Sequence, residues 1–358
     1  MQHVWFNKTF SSVAAAISLI READVLGEYH IVSSHTNPYS AAFQEAHESA
    51  VEPSGLQGEV YLAWCLQFCL DHAITIFIPG KEAVLISAER ERFEQQGTRV
   101  LSVASAEMLE LLHDKAAFYQ AVDLPLTPPA AFRVVETAEQ FEEAYRALKQ
   151  DHAKLCIKPA KSVFGLGFAV IEEERSSAQL LVEGVQYHIG LDDLRRGFAA
   201  MGTFKTMIVM EYLDGHEYSV DCVGDNGRLV CAVPRKKMKQ AGRGQMIEMR
   251  SDILDSVRQL AKTFGLNGNF NVQFKERAGG LGLLEINPRM SGGIAMACLA
   301  GANLPYLALA GFDRGFEHLH VPEVRHGIRV AELGRAAILA DAEVQVMAPE
   351  AEVSCAAL

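Results

Sequence analysis

Along the first hundred residues, short apolar runs of β character alternate with helical patterns. HVWF, YHIV and ITIFI are separated by segments near residues 11–22, 59–70 and 81–95, where apolar positions recur at helical spacing. Strands and helices in alternation predict an open parallel sheet, an α/β domain of Rossmann-like shape over residues 1–105. The turn after the first run reads NKTFSS, so the glycine fingerprint of a dinucleotide site is missing and the shape does not imply NAD.

From about residue 106 the texture changes. AEMLELLHDKAAFYQAV reads as two helical patterns, ended by LPLTPPA, whose prolines break helices and suggest a link between lobes. KLCIKPA and the strand after KSVFGLG form a hairpin pattern. TMIVMEYL, EYSVDCV and RLVCAV follow, then a helix over residues 252–264, then NFNVQF and GLGLLEIN as a second hairpin. Consecutive strands with short links predict α+β architecture with antiparallel pairing. The apolar stretch at residues 292–312 is long enough to span a bilayer, but its alanines and glycines, with Asn303 and Pro305 inside it, predict two short buried helices instead.

Composition narrows the picture. A chain of 358 residues is long for one core, so two or three lobes with a cleft are expected. The formal charge of −12 gives no general footprint for nucleic acid or an anionic membrane. Seven cysteines without a C-x-x-C pair suit a reducing cytoplasm, with Cys65 and Cys69 as small core residues. The first twenty residues do not read as a signal peptide.

The chemistry concentrates in LLEINPRMSGG. Residues two apart on a strand share a face about 7 Å apart, so Glu285 and Asn287 point the same way while Ile286 packs behind them. Gln273, in NFNVQF, offers a third oxygen, with Asn271 on its face. Oxygen donors of mixed charge suit magnesium, which keeps water and phosphate oxygens in its shell. A satisfied hydrogen-bond cluster at a strand end is the other reading of the same spacing.

Arg289 follows at once and could neutralise a phosphoryl group or a carboxylate. Residues 235–250 hold Arg235, Lys236, Lys237, Lys239, Arg243 and Arg250 against the single acid Glu248. This loop has no aromatic residue for base stacking, which favours a small phosphorylated ligand; Lys239 and Arg250 read as solvated. Lys158 ends an apolar strand, where an ammonium needs an anion. Lys161 opens a turn whose Gly165 and Gly167 would let backbone N–H groups approach phosphate. Exposed main chain at Met210, Glu211, Tyr212 and Leu213 could read an adenine edge, with Glu217 on ribose hydroxyls. His216 reads as a turn residue, and His318 with His320 is too isolated for a metal site.

In this order the pieces resemble the ATP-grasp superfamily of carboxylate ligases, over roughly residues 106–312. NVQF followed by LLEINPR is similar to the carbamoyl-phosphate synthetase large-chain branch. The resemblance implies a Rossmann-like pre-ATP-grasp domain (1–105), a two-lobed ATP-grasp domain (106–312, smaller lobe about 130–212) and a carboxyl-terminal segment (313–358). It implies ATP between the lobes, with Lys115 and Lys158 on its phosphates, Met210 to Leu213 on adenine and Glu217 on ribose. Gln273, Glu285 and Asn287 would bind one or two magnesium ions, which manganese could replace, and Arg235 and Arg289 would stand near the γ-phosphate.

The implied reaction activates a small-molecule carboxylate as an acylphosphate and joins it to an amine or other nucleophile, releasing ADP and phosphate. No nucleic acid or membrane partner is expected, and a homodimer is open. The rival is a non-catalytic protein that binds ATP or ADP in such a pocket and regulates; an intact metal bridge argues against it. Phe164 makes the glycine turn bulkier than in many relatives. The length does not hold two synthetase halves or a glutaminase, and no biotin-carboxylase type of terminal domain is legible. The 236–248 loop, Asn7, Lys8 and Asn37 are candidate specificity determinants.

Overall fold

The computed structural model describes residues 1–8, 12–162, 166–238 and 244–334. They fall into two compact units, Met1–Val100 and Leu101–Leu333. The first is built on β1 (Gln2–Phe6), β2 (Tyr29–His35), β3 (Glu48–Val51), β4 (Ile76–Ile78) and β5 (Arg99–Val100). Their order is β3-β2-β1-β4-β5, with every pairing parallel. HVWF lies on the central strand, with Val4 and Trp5 wholly buried, because a parallel sheet is covered on both faces. Trp5 stacks on Phe77 and on Phe68 of the helix Gly58–Asp71. Cys65 and Cys69 are core residues of that helix, as expected.

Two details differ from the sequence reading. The single helix expected over residues 81–95 is two, Ala83–Ala88 and Arg90–Glu94, separated where Glu89 leaves helical geometry. Asn7 is buried: its amide nitrogen donates to Tyr61 Oη and the Lys81 carbonyl, and its oxygen accepts from the Gly80 N–H. A buried carboxamide thus ties the end of β1 to residues 80 and 81, where a dinucleotide site would carry glycines.

The second unit holds two sheets. The smaller comprises β6 (Phe132–Thr137), β7 (Leu155–Pro159), β8 (Ala169–Glu172), β9 (His188–Gly190) and β10 (Thr203–Glu211), in the order β6-β10-β7-β8-β9. The β7–β8 hairpin is as expected. Helices Ala138–Lys149 and Leu191–Met201 supply Phe141, Tyr145 and Phe198 to a core that includes Val209.

The larger sheet comprises β11 (Glu217–Asp225), β12 (Arg228–Lys237), β13 (Gln245–Ile247), β14 (Gly268–Arg277), β15 (Gly280–Asn287) and β16 (Arg329–Val330). Its order is β15-β14-β11-β12-β13-β16, antiparallel throughout. The apolar stretch at 292–312 does form two short helices in the core, Ile294–Cys298 and Leu304–Arg314. Asn303 caps the second by accepting from the Tyr306 N–H, with Pro305 in its first turn. Among the described residues no helix is long and apolar enough to cross a membrane. Beyond residue 312, Phe316 and Val330 join the same core and β16 extends the sheet.

Candidate active site

The register of β14 and β15 sets Asn271 opposite Asn287 and Gln273 opposite Glu285. Two-residue periodicity then gathers these side chains on one face, while Val272 and Ile286 are buried between them. Burial pushes the Glu285 carboxyl up, but Lys115, the Asn287 amide and Lys158 outweigh it and hold it below its usual value. Lys115 Nζ lies 3.4 Å from Glu285 Oε2, and Asn287 Nδ2 donates to Oε1 at 3.0 Å. The glutamate is therefore an ionised donor.

Lys115 is positioned by its neighbour. Asp114 caps the helix Lys115–Ala121 by accepting from the Ala116 and Ala117 N–H groups, and Lys115 Nζ also donates to the Ser162 carbonyl at 3.1 Å. Lys158, at the end of β7, donates to Tyr119 Oη at 2.9 Å. Burial lowers its pKa, with Glu285 acting in the opposite direction. Tyr119 in turn donates to the Leu284 carbonyl, so one hydroxyl links the lysine of β7 to β15. Neither Tyr119 nor Asp114 was singled out from sequence. The Asp before a helical pattern was a legible cap; nothing marked the tyrosine.

The turn after β7 is described in part. Gly165 lies outside the described residues. Gly167 has φ +80°, and a Cβ there would come 2.8 Å from Pro159 Cγ, so the turn lies flat on the proline. Lys161 is 74% exposed, with Nζ 3.6 Å from Asp114 Oδ2. His113 is held neutral first by burial and then by Lys115, Arg289 and Lys161.

The segment expected to expose its main chain is more enclosed than that. Met210 and Leu213 are buried, and the N–H groups of Glu211 and Tyr212 donate to the Ala131 and Lys154 carbonyls. The Glu211 carboxylate is 3.4 Å from Arg277, and Lys275 Nζ stands over the Tyr212 ring. Glu217 opens β11, with Oε1 2.5 Å from Lys237 Nζ.

Where it is described, the basic 235–250 segment is tied into the fold: residues 235–237 belong to β12 and 245–247 to β13, and acids from β14, the helix Ser251–Phe264 and the segment itself meet its cations. Lys236 lies 3.0 Å from Glu276 and 3.4 Å from Glu248. Arg250, expected in solvent, grips Asp252 at 2.6 Å and donates to Tyr218 Oη at 3.3 Å. Glu276 and Asp252 lie outside residue 250, and for that reason a local charge count overstated the positive patch. Lys239 and Arg243 lie outside the described residues.

Arg289 turns back on the site. Its Nη1 donates to the Met290 carbonyl at 3.0 Å, and Nη2 lies 3.4 Å from Asn287 Oδ1. Arg235 is 2% exposed, and its guanidinium is enclosed by Asp221, Ser219, Ser291 and Gln245.

Among the described residues no three or more His, Cys, Asp or Glu side chains are grouped to hold a metal ion. Magnesium nevertheless fits what is present: one ionised carboxylate, the carboxamide oxygens of Gln273 and Asn287, and a half-buried setting. Asn271 adds an orphan. Its Nδ2 donates to Ser219, Val220 and Asp221, leaving Oδ1 buried without a hydrogen-bond partner among the described residues. A buried acceptor of this kind suits a water or an ion.

Comparison with known proteins shows what the chain is similar to. A family described as "ATP-grasp in the biosynthetic pathway with Ter operon" matches residues 203–336. The arginine-specific carbamoyl phosphate synthase large chain of Geobacillus stearothermophilus is 26% identical over 297 residues, 79% of this chain. The chain spans only 25% of that relative's length. Among solved structures, an ADP complex of the N5-carboxyaminoimidazole ribonucleotide synthetase PurK superposes with a TM-score of 0.65 at 14% identity, covering 91% of this chain and 79% of the other. The biotin carboxylase domain of Hydrogenobacter thermophilus 2-oxoglutarate carboxylase, with MgADP and bicarbonate, gives 0.60 at 14% identity, covering 92% and 72%. Residues 203–336 thus match an ATP-grasp family, the chain is related in sequence to the carbamoyl phosphate synthase large chain, and its fold is that of the PurK and biotin carboxylase structures.

Proposed function

We propose that the protein is an ATP- and magnesium-dependent ligase that joins a small-molecule carboxylate to an amine or another nucleophile. The observation that carries this reading is Glu285, kept ionised beside Lys115 and Lys158, with Gln273 opposite it and Asn287 beside it. A pocket that only sensed a nucleotide would have no need of an anionic donor held so.

Gln273, Glu285 and Asn287 would hold the metal, which when bound neutralises phosphate oxygens. Lys115 and Lys158 meet the phosphates, assisted by Lys161 and the turn of Gly165 and Gly167. Met210, Glu211, Tyr212 and Leu213 line the base and Glu217 the ribose. A substrate carboxylate oxygen attacks the γ-phosphorus, and the bridging oxygen leaves with ADP. Arg289 balances charge on the transferred group. The amine then attacks the acyl carbon, phosphate departs with the C–O electron pair, and the ammonium proton passes to solvent. Positioning and charge compensation do this work without a side-chain nucleophile. Manganese in place of magnesium, a homodimer and a cytoplasmic location complete the reading; the buried thiols of Cys65, Cys69 and Cys222 suit a reducing compartment.

The test is a screen of carboxylate and amine pairs for inorganic phosphate release with magnesium ATP, repeated on Glu285→Gln. Release by wild type and its loss in the variant support the reading. Unchanged release in the variant removes the metal assignment, and nucleotide binding without release for any pair favours the regulatory protein.

A further inference from the structure

Arg235 stands apart from the other cations of the site because it is buried. It is 2% exposed, and Asp221 is wholly buried. Nε donates to Asp221 Oδ2 at 2.9 Å and Nη2 approaches the same oxygen at 2.8 Å. Nη2 also donates to Ser219 Oγ at 3.2 Å and Ser291 Oγ at 2.9 Å, and Nη1 donates to Gln245 Oε1. The fork thus hydrogen-bonds to β11, β13 and the turn that follows β15.

That turn rests directly on the guanidinium. A Cβ on Gly293 would lie 2.5 Å from Nη1 and 2.7 Å from Cζ and Nη2, so only glycine lets the main chain lie flush there. Ser291, itself buried, accepts from both Arg235 and the Gly293 N–H. Two residues before Ser291 stands Arg289, and two before that Asn287. On the other side, Asn271 donates to Ser219 Oγ at 3.0 Å and Asp221 Oδ1 at 3.1 Å, which ties β14 to the same pair.

We infer that Arg235 is a positioning residue: paired with Asp221, it braces the 287–293 turn against the sheet and so aims Arg289 and Asn287, without touching the transferred phosphoryl group itself. This rests on the ligase reading for its catalytic consequence, but the brace can be measured without turnover. A flat, five-donor fork explains why the position carries arginine, since lysine would keep the charge and lose the simultaneous hold on Asp221, Ser219, Ser291 and Gln245.

The experiment compares wild type, Arg235→Lys and the double variant Arg235→Met with Asp221→Leu, all as the full chain. Hydrogen exchange of the 287–293 amides is read without nucleotide, thermal unfolding reports the fold, and phosphate release is read with an active pair from the screen. Expected are exchange at least tenfold faster in that segment for both variants, restored thermal stability in the double variant, and turnover at least tenfold below wild type in both with the KM for ATP within about threefold. Wild-type exchange in Arg235→Lys overturns the brace, whatever turnover does. A double variant that regains exchange protection along with stability reduces the pair to core filling. If wild type releases no phosphate with any pair, the ligase reading fails while the exchange comparison still decides the brace.

Discussion

Lys115 Nζ stands 3.4 Å from Glu285 Oε2, a helix-capped cation against the one carboxylate of the candidate metal site. Because Lys115, Asn287 and Lys158 together hold the Glu285 pKa below its usual 4.5 despite burial, the ionised form contributes stability at neutral pH. The sign follows from linkage: a carboxylate depressed in the folded state contributes above its unfolded pKa and loses that contribution as pH falls through the folded value. Glu285→Gln should therefore fold with reduced thermal stability at about pH 7, and the gap to wild type should begin to close only as pH falls below the usual carboxylate value of 4.5. Phosphate release should be lost throughout. A gap that stays constant with pH would contradict the ionised assignment.

Lys158 presents the opposite balance. Its ammonium pays for burial, offset in part by Glu285 and by the bond to Tyr119. Lys158→Met should leave urea stability unchanged or raised, since a poorly solvated charge is replaced by an apolar chain of similar length. Affinity for magnesium ATP should fall about tenfold, equivalent to about 1.4 kcal/mol. Calorimetric titration of the variant with a non-hydrolysable analogue checks this; equal affinity would take Lys158 out of the phosphate site.

How much of this was legible in the sequence depends on range. Period-two alternation put Glu285 and Asn287 on one face and named Gln273 as their partner, and the β14–β15 register agrees, because a short hairpin fixes pairing locally. The buried helices at 292–312 were legible for the same reason, through Asn303 and Pro305. What was not legible came from acids outside the segment being read. Glu276 on β14 and Asp252 at the start of the next helix neutralise a segment that looks basic on its own, and Asp221 on β11 encloses Arg235, which the resemblance set near the γ-phosphate. β3, reading ESAV, and the two-residue β5 gave too little pattern to announce a strand.

The Arg235–Asp221 pair also yields a stability prediction independent of function. Removing one member strands the other in the interior, so Asp221→Asn should cost about 3–5 kcal/mol in urea unfolding. Replacing both by Met and Leu should recover stability to within about 1 kcal/mol of wild type, because two buried ions repay their desolvation poorly. Asp221→Asn with wild-type stability would mean that the pair is more hydrated than its 2% and 1% side-chain exposures indicate.

Gly215 sits in the turn from β10 to β11, between the segment ending at Leu213 and Glu217. Its N–H donates to the Glu276 carbonyl at 3.2 Å, and the next N–H, of His216, donates to Glu276 Oε2 at 3.1 Å. A Cβ on Gly215 would come 2.5 Å from the Glu276 carbonyl oxygen and 2.8 Å from its carbon, and backbone atoms in a central ladder cannot move aside. Gly215→Ala should thus lift the turn from β14, costing about 1–3 kcal/mol as overpacking does. It should also weaken ADP binding, because the residues proposed to face adenine and ribose flank the displaced turn. Gly279 supplies the control. Its φ of +82° makes alanine strained there too, but nothing lies within 4 Å of the added carbon. Gly279→Ala should therefore lower stability through backbone strain alone and leave ADP affinity unchanged. Equal ADP affinity in Gly215→Ala and wild type would separate this turn from nucleotide recognition.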